Sequence, residues 1–285
     1  MIINKTNILV SLFIFLSLQF SFVQADEFRE LNFKLFDAAK AGNLNQVKQL
    51  IEQGASVKAR NRIGNSTLIY GVKSGNLELV KYLVEEKSAI NMLNTRGQTA
   101  LMFASQGGYL KIVEYLLKND AEVNNFSLKN VTALTEAVYG EHIDIVKLLL
   151  SNNAKVDVAD NTGKTALIYA AAKGNLEMVK LHLSKTDNVN QKYSHDLTAL
   201  MWASGYGNND AVTLLLDAGA DVDLQDDRGR NSLMIAASTG YADVVKQLLS
   251  HGAQLGVTDS DGKSALDLAS EAKNENVILA LSAAH

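Results

Sequence analysis

The chain repeats itself at a fixed interval of 33 residues, from residue 68 to residue 101 for example, along almost all of its 285 positions. A leucine marks one position of the interval, and a valine or isoleucine marks a second. Such self-similarity arises when one small supersecondary unit is copied and stacked, and not from a single globular core. The period therefore points to an extended binding surface instead of a catalytic pocket. The two series are Leu35, Leu68, Leu101, Leu134, Leu167, Leu200, Leu233 and Leu266, and Val47, Val80, Val113, Val146, Val179, Val212, Val245 and Ile278.

Each unit carries the signals of two short helices. A serine or threonine precedes the first helical pattern, where its hydroxyl can accept hydrogen bonds from unpaired N–H groups. A glycine then closes that helix, as a left-handed C-terminal position requires. A further column holds only glycine, asparagine or aspartate, which tolerate positive φ, and so predicts a tight turn. The three columns are Ser66, Thr99, Thr132, Thr165, Thr198 and Ser264; Gly42, Gly75, Gly108, Gly174, Gly207 and Gly240; and Gly64, Gly97, Asn130, Gly163, Asp196, Gly229 and Gly262.

The repeated unit resembles the ankyrin repeat. The third copy reads Gly-Gln-Thr-Ala-Leu-Met-Phe-Ala from Gly97, has a second helical pattern from Gly108 to Leu117, and ends in Ala-Glu-Val-Asn at 121–124. The family motif is a turn, Thr-Pro-Leu-His, a helix, a glycine, a second helix with paired leucines, and Gly-Ala-Asp-Val-Asn. This chain contains no proline, and apolar residues replace the motif histidine in most copies. We expect apolar packing there in place of a Thr–His hydrogen bond.

The resemblance covers about residues 28–285 and implies an all-α repeat solenoid. Stacked helix-turn-helix repeats would be joined by β-hairpin-like loops. Residues 26–285 would form about eight repeats, with degenerate capping units at both ends. The resemblance also implies a protein-binding scaffold without catalytic activity.

The first 25 residues read as a signal peptide. Lys5 is the single charge before an apolar run over 8–22, and Val23-Gln24-Ala25 forms a small-x-small cleavage site. The alternative is an uncleaved membrane anchor, but this run of fifteen residues falls short of the roughly 20 that span a bilayer. We expect cleavage after Ala25, no remaining membrane span, and a periplasmic or secreted protein. The Lys, Asn and Ile usage is typical of an AT-rich bacterial gene.

Composition and motifs argue against catalysis, cofactors and nucleic acid. The net charge is −4, so the chain lacks the overall basic character of a nucleic-acid-binding protein. There is no cysteine, and the five histidines occupy different repeat positions. No metal site is expected, because the aspartates at 259 and 261 lack the spacing of a calcium loop and read as turn residues. His182 replaces a leucine of a second helix, and we expect an exposed or hydrogen-bonded side chain there, not a metal ligand.

Aromatic residues recur two positions after the repeat leucine. In the family this position faces the concave groove on the first helix, so we predict an aromatic ladder for a protein partner. Four repeat steps at a helix spacing of about 8–10 Å would extend it over about 32–40 Å. The alternative is that the rings only pack between adjacent first helices. The predicted groove residues are Tyr70, Phe103, Glu136, Tyr169 and Trp202, with Tyr139 and Tyr206 added from positions five and six after the leucine.

Basic residues gather at the hairpin tips of this net acidic chain. Such a rim would steer an acidic partner during encounter. The alternative is a solvated polar rim without a binding role. The tip residues predicted to contact the partner are Arg96, Lys129, Arg228 and Arg230.

The leading hypothesis is therefore an exported, non-catalytic, monomeric scaffold that binds a protein in its groove and at its hairpin tips. Within this class it could inhibit or protect a periplasmic enzyme or toxin, as an immunity protein does, or meet a host protein after secretion. A second class is an envelope stress factor without one specific partner. An enzyme or small-molecule binder is disfavoured, because solenoids of this size leave no deep pocket.

Overall fold

A computed structural model of the chain describes residues 26–186 and 188–284, and the predicted signal peptide of residues 1–25 lies outside them. The described residues contain sixteen α-helices in eight successive pairs. Helix α1 covers 26–40. The others are α2 (Leu44–Glu52), α3 (Thr67–Lys73), α4 (Leu77–Glu85), α5 (Ala100–Gln106), α6 (Leu110–Lys118), α7 (Ala133–Tyr139), α8 (Ile143–Ser151), α9 (Ala166–Lys173), α10 (Leu176–Leu183), α11 (Ala199–Gly205), α12 (Asn209–Asp217), α13 (Ser232–Thr239), α14 (Ala242–Ser250), α15 (Ala265–Glu271) and α16 (Glu275–Ser282).

The pairs stack in chain order to form the predicted all-α solenoid. From α3 to α15, each odd-numbered (first) helix contacts the first helix of the next pair, and from α4 to α16 the second helices do the same. Each pair therefore meets its neighbours along the chain, as in other repeat proteins. Within the described residues, no helix is both long and apolar enough to cross a membrane.

The segments between pairs are hairpins with minimal sheet structure. Three of them contain a single antiparallel bridge: Arg60 with Ser66, Phe126 with Thr132, and Thr258 with Ser264. Neighbouring hairpins are joined by backbone hydrogen bonds, for example from Leu128 N–H to the carbonyl of Arg96 at 2.9 Å. The hairpins thus form a continuous edge beside the first helices.

The predicted caps and turns are confirmed. Each predicted serine or threonine cap accepts a hydrogen bond from the N–H three residues later, and Asn231 does the same in the seventh copy, which the sequence reasoning missed. The closing glycines all have positive φ, and Glu141 and Lys273 fill the same position with φ of 60° and 57°. In the turn column every residue has positive φ, including Asn130 and Asp196.

The two apolar series form the core. Seven of the eight leucines are buried, Leu266 being partly exposed, and the seven valines are completely buried. Apolar packing does replace the motif histidine: Ile69, Met102 and Ile168 are buried at the start of their helices. In the last copy Asp267 takes that position and forms a capping box with Ser264 instead.

His182 is buried inside this core, in a column where the other second helices from α4 onward carry leucine. Its Nδ1 lies 2.8 Å from the carbonyl oxygen of Met178, so the hydrogen-bonded alternative is confirmed and the exposed one is wrong. Its Nε2 is buried without a hydrogen-bond partner among the described residues. Burial lowers the pKa of His182, against the opposing effect of the Met178 hydrogen bond.

Candidate functional site

A groove runs beside the hairpins along the first helices. Three cavities lie in it, with volumes of 710, 230 and 490 Å³. The first is bounded by α1 and residues 59–62, the second by α3, α5 and their hairpins, and the third by α5, α7, α9 and their hairpins. None of these lining residues comes from a second helix, and Gln106 borders both the second and the third cavity. We call this surface the groove.

The predicted ladder residues lie in or beside this groove. Phe103 lines the second cavity, and Glu136 and Tyr169 line the third. All the ladder side chains, including Tyr70 and Trp202, are partly buried. Tyr70, Phe103 and Tyr169 pack against the core and still present surface to solvent, so their burial combines features of both the binding and the packing alternatives.

Two ladder tyrosines are anchored through their hydroxyls. Tyr169 donates a hydrogen bond of 2.6 Å to Oδ2 of Asp160. Asn61 donates one of 2.7 Å to the hydroxyl of Tyr70, whose ring centroid lies 5.8 Å from that of Phe36. These contacts fix the orientation of the rings before a partner binds. Less side-chain entropy is therefore lost on binding.

Lysines cover several of the rings. Lys73 lies 4.8 Å from the centroid of Phe103, Lys164 lies 4.6 Å from that of Trp202, and Lys173 lies 4.9 Å from that of Tyr139. Cation–π contacts of this kind contribute about 0.5–1 kcal/mol at exposed sites. The aromatic faces of the groove are thus already paired with cations from the chain itself.

Tyr139 and Tyr206 extend the ladder outward. They are 60% and 54% exposed. The Tyr139 ring meets Tyr169 edge-on at 5.9 Å, and Tyr206 stacks on Trp202 at 6.0 Å. The structure therefore brings both tyrosines to the ladder, where they form its most solvent-accessible rings.

The basic tip residues are not equivalent. Arg96, Lys129 and Arg228 are exposed and form no salt bridge among the described residues. Arg230 instead pairs with the buried carboxylate of Asp226, with its Nη2 3.0 Å from Oδ2. Its charge is largely neutralised within its own hairpin, so Arg230 stabilises the hairpin and is less available to a partner than the other tip residues.

The turn aspartates accept hydrogen bonds from the backbone, and Asp259, predicted as a turn residue, accepts from the N–H groups of Asp261 and Lys263. In Asp160 one carboxylate oxygen accepts from the N–H groups of Thr162 and Lys164, which shapes the hairpin. Burial raises the pKa of Asp160, but the hydrogen bonds from Tyr169, Thr162 and Lys164 outweigh it and hold the pKa below its usual value. The aspartates and the other ligating side chains of the described residues form no cluster of three that could hold a metal.

Exposed apolar residues on the hairpins were missed by the sequence reasoning. Phe126 is 61% exposed and Leu128 is 72% exposed, and Ile63 and Leu93 are exposed on the two preceding hairpins. Phe126 could have been found by comparing its column, which is mostly polar: the other hairpins carry Arg60, Leu93, Ala159, Lys192, Gln225 and Thr258. The rim of the second to fourth repeats is therefore both apolar and basic.

A model of ankyrin repeats matches the chain three times, over residues 35–127, 125–193 and 200–285. The matches span almost all of the helical part of the structure. A comparison with curated proteins gives no match.

Proposed function

The chain belongs to the ankyrin repeat family, and on this premise we propose that it is an exported scaffold that holds one protein partner in the groove. Ankyrin repeats indicate a protein–protein interaction scaffold, and proteins built from them are in general non-catalytic. For this chain the proposal is more specific: the ladder from Tyr70 to Trp202 supplies the binding energy, the exposed tip cations guide encounter, and no chemistry is performed.

The observation that carries the proposal is the ladder of partly buried rings beside the cavities of the groove. Tyrosine and tryptophan are enriched among the residues that dominate binding energy at interfaces, in well-packed pockets that exclude water. Tyr139 meets Tyr169 edge-on and Tyr206 stacks on Trp202, and Asp160 holds the hydroxyl of Tyr169. Their packing places aromatic surface in the groove before any partner arrives.

Capture experiments test the groove. The protein without residues 1–25 would be immobilised and exposed to a cell-envelope extract of the organism that produces it. A variant with Tyr139, Tyr169 and Trp202 all changed to alanine would be treated in the same way. A second variant with Tyr82→Ala and Tyr115→Ala on α4 and α6 serves as the matched control. We expect the same protein to be captured by wild type and control and lost from the groove variant. Equal capture by all three would contradict the proposal.

Export is the second part of the proposal and rests on the composition of residues 1–25 alone. The mature protein is proposed to begin at Asp26 and to be a monomer in the periplasm or the medium. Intact mass and fractionation test this directly. A soluble cytosolic pool with residues 1–25 still attached would contradict export without affecting the groove.

An inhibitory or protective role, as for an immunity protein of a periplasmic enzyme or toxin, is the second candidate. The predicted leader favours it, because such partners would be met outside the cytoplasm. Once a partner is captured, its activity with and without the scaffold separates inhibition from simple tethering. A stress factor without one specific partner would instead give no single captured protein.

A further inference from the structure

Glu136 interrupts the aromatic ladder. In the copies before and after it the same position holds Phe103 and Tyr169, and the only other charge in this column is the exposed Asp37 of the first copy. The side chain lies in the third cavity, half-buried on α7. Burial raises the pKa of Glu136, and a hydrogen bond with Gln106 opposes the rise.

Glu136 forms no salt bridge within the described part of the chain. No lysine, arginine or histidine nitrogen lies within the 4.0 Å of a salt bridge. Lys173 is engaged elsewhere, since its Nζ contacts the carbonyl of Tyr139 at 2.7 Å and the carboxylate of Glu141 at 2.9 Å. A partly desolvated carboxylate whose hydrogen-bond partner is a neutral amide is unfavourable. A cation brought by a ligand would relieve that cost.

The walls of the cavity suit a flat cation. Tyr139 and Tyr169 stand edge to face beside Glu136, and the cavity has a volume of 490 Å³. The other charged groups that line it are Asp160 and the exposed Lys129, so the lining carries one more negative than positive charge. Asp160 is occupied by Tyr169 and by its own turn, which leaves Glu136 as the available acceptor.

An arginine side chain matches this arrangement better than a lysine. Its planar guanidinium can donate two parallel hydrogen bonds to one carboxylate and stack on an aromatic ring at the same time. Aromatic rings of this groove already accept cations from the chain, as Lys73 on Phe103 and Lys164 on Trp202 show. Tyr139 already carries Lys173 at 4.9 Å from its centroid, but the residue is still 60% exposed and so offers further surface next to Glu136.

We propose that the cavity between α7 and α9 binds an arginine side chain of the protein partner, with Glu136 pairing with the guanidinium and Tyr139 packing against it. The proposal rests on the proposed function, because the arginine belongs to the protein held in the groove. It identifies a basic feature of that partner, in addition to the acidic surface that the tip cations would steer.

The test uses blocked amino acids and does not need the partner. N-acetyl-arginine N-methylamide and its neutral citrulline analogue would be titrated into the protein without residues 1–25, with binding followed through the amide NMR signals of Glu136, Tyr139 and Tyr169. We expect millimolar binding of the arginine probe, at least about fivefold tighter than the citrulline probe. A lysine analogue should bind more weakly than arginine.

Two variants locate the site. Glu136→Gln should weaken arginine binding at least about fivefold and leave citrulline binding unchanged, because only the charge is removed. Glu114→Gln on the exposed face of α6 is the matched control and should bind as wild type does. Glu136→Gln should melt no earlier than wild type, since it removes an unpaired charge. Equal binding of arginine and citrulline, equal binding of arginine and lysine, or an unchanged arginine affinity in Glu136→Gln would overturn the proposal.

The probe result and the capture result are separable. A groove that holds its partner by other chemistry would lose the partner in the aromatic variant while the arginine probe fails to bind. If instead the cavity binds arginine but the partner docks elsewhere, the arginine probe would bind and the aromatic variant would still capture the partner.

Discussion

Lys164, on the hairpin of one repeat, places its Nζ 4.6 Å from the ring centroid of Trp202 in the next repeat. The same Nζ lies 5.7 Å from the ring centroid of Tyr169. The hairpins and the aromatic ladder are therefore one connected surface. A partner that contacts Trp202 will also meet the lysine that covers it.

We expect His182 to lower the stability of the central repeats. His182→Leu should raise the free energy of unfolding by about 1–2 kcal/mol, because the change removes a buried nitrogen without a partner and restores the leucine of the other copies. Urea unfolding of the two proteins at pH 7.5 measures this. A destabilised variant would show that the Met178 hydrogen bond outweighs the unsatisfied Nε2.

The same substitution should change the pH dependence. Burial holds the pKa of folded His182 below its unfolded value of about 6.5, against opposing effects of the Met178 hydrogen bond and Asp157. The unfolded chain therefore binds the proton first, and stability falls as the pH drops through about 6.5 towards the folded pKa. Above that window His182 adds no pH dependence. The stability gain of His182→Leu should thus grow between pH 7.5 and 5.5, whereas a constant gain would contradict the buried neutral histidine.

The stacked architecture predicts that the free-energy cost of a core substitution depends on its position in the stack. Leu149 on α8 lies between α6 and α10, whereas Leu281 lies on α16, in the last of the described helix pairs, which contacts one neighbouring pair among the described residues. Leu149→Ala should cost about 2–5 kcal/mol, as truncations of buried leucine do. Leu281→Ala should cost less, although Leu281 is equally buried, because it couples to one neighbouring repeat instead of two. Equal shifts of the urea midpoint would contradict this order.

The tip arginines should divide into two kinds. Arg96→Glu and Arg228→Glu should slow association with the partner and reduce its salt dependence, with little effect on dissociation, because exposed rim charges act on encounter. Lys111→Glu on the exposed face of α6 is the control and should associate normally. Arg230→Glu should instead destabilise the protein by more than about 1 kcal/mol, because it leaves the buried Asp226 carboxylate beside a second negative charge. Stopped-flow association and thermal melting separate the two effects.

The sequence predicted the parts of the fold that local chemistry determines. Caps such as Thr99, turn residues such as Asn130 and core residues such as Val113 act within their own unit, so seven or eight aligned copies reveal them. The same comparison placed the ladder positions. It could also have found Phe126, whose column is mostly polar.

Contacts that cross between repeats were not predicted. Which lysine covers which ring depends on rotamers and on the spacing of neighbouring helices, so the reach of Lys164 to Trp202 has no sequence signature. The environment of Glu136 likewise depends on Gln106 and Tyr169, which lie on the first helices of the two adjoining repeats. Arg230 was placed on the free rim, although Asp226 stands four positions before it and neutralises it.

The most direct test of the groove compares affinity and stability in the same variants. Tyr169→Ala and Trp202→Ala should each weaken partner binding by about 2 kcal/mol or more, because both rings are anchored in the groove. Loss of the Lys164 and Tyr206 contacts at Trp202 should cost only about 1–2 kcal/mol of folding free energy. Tyr115→Ala on α6 is the aromatic control and should bind normally. The affinity of each variant for the captured partner would be measured by isothermal titration, and its stability by urea unfolding. We expect large losses of affinity with small shifts of the unfolding midpoint. Normal affinity with early unfolding would show instead that the ladder is part of the core and that the interface lies elsewhere.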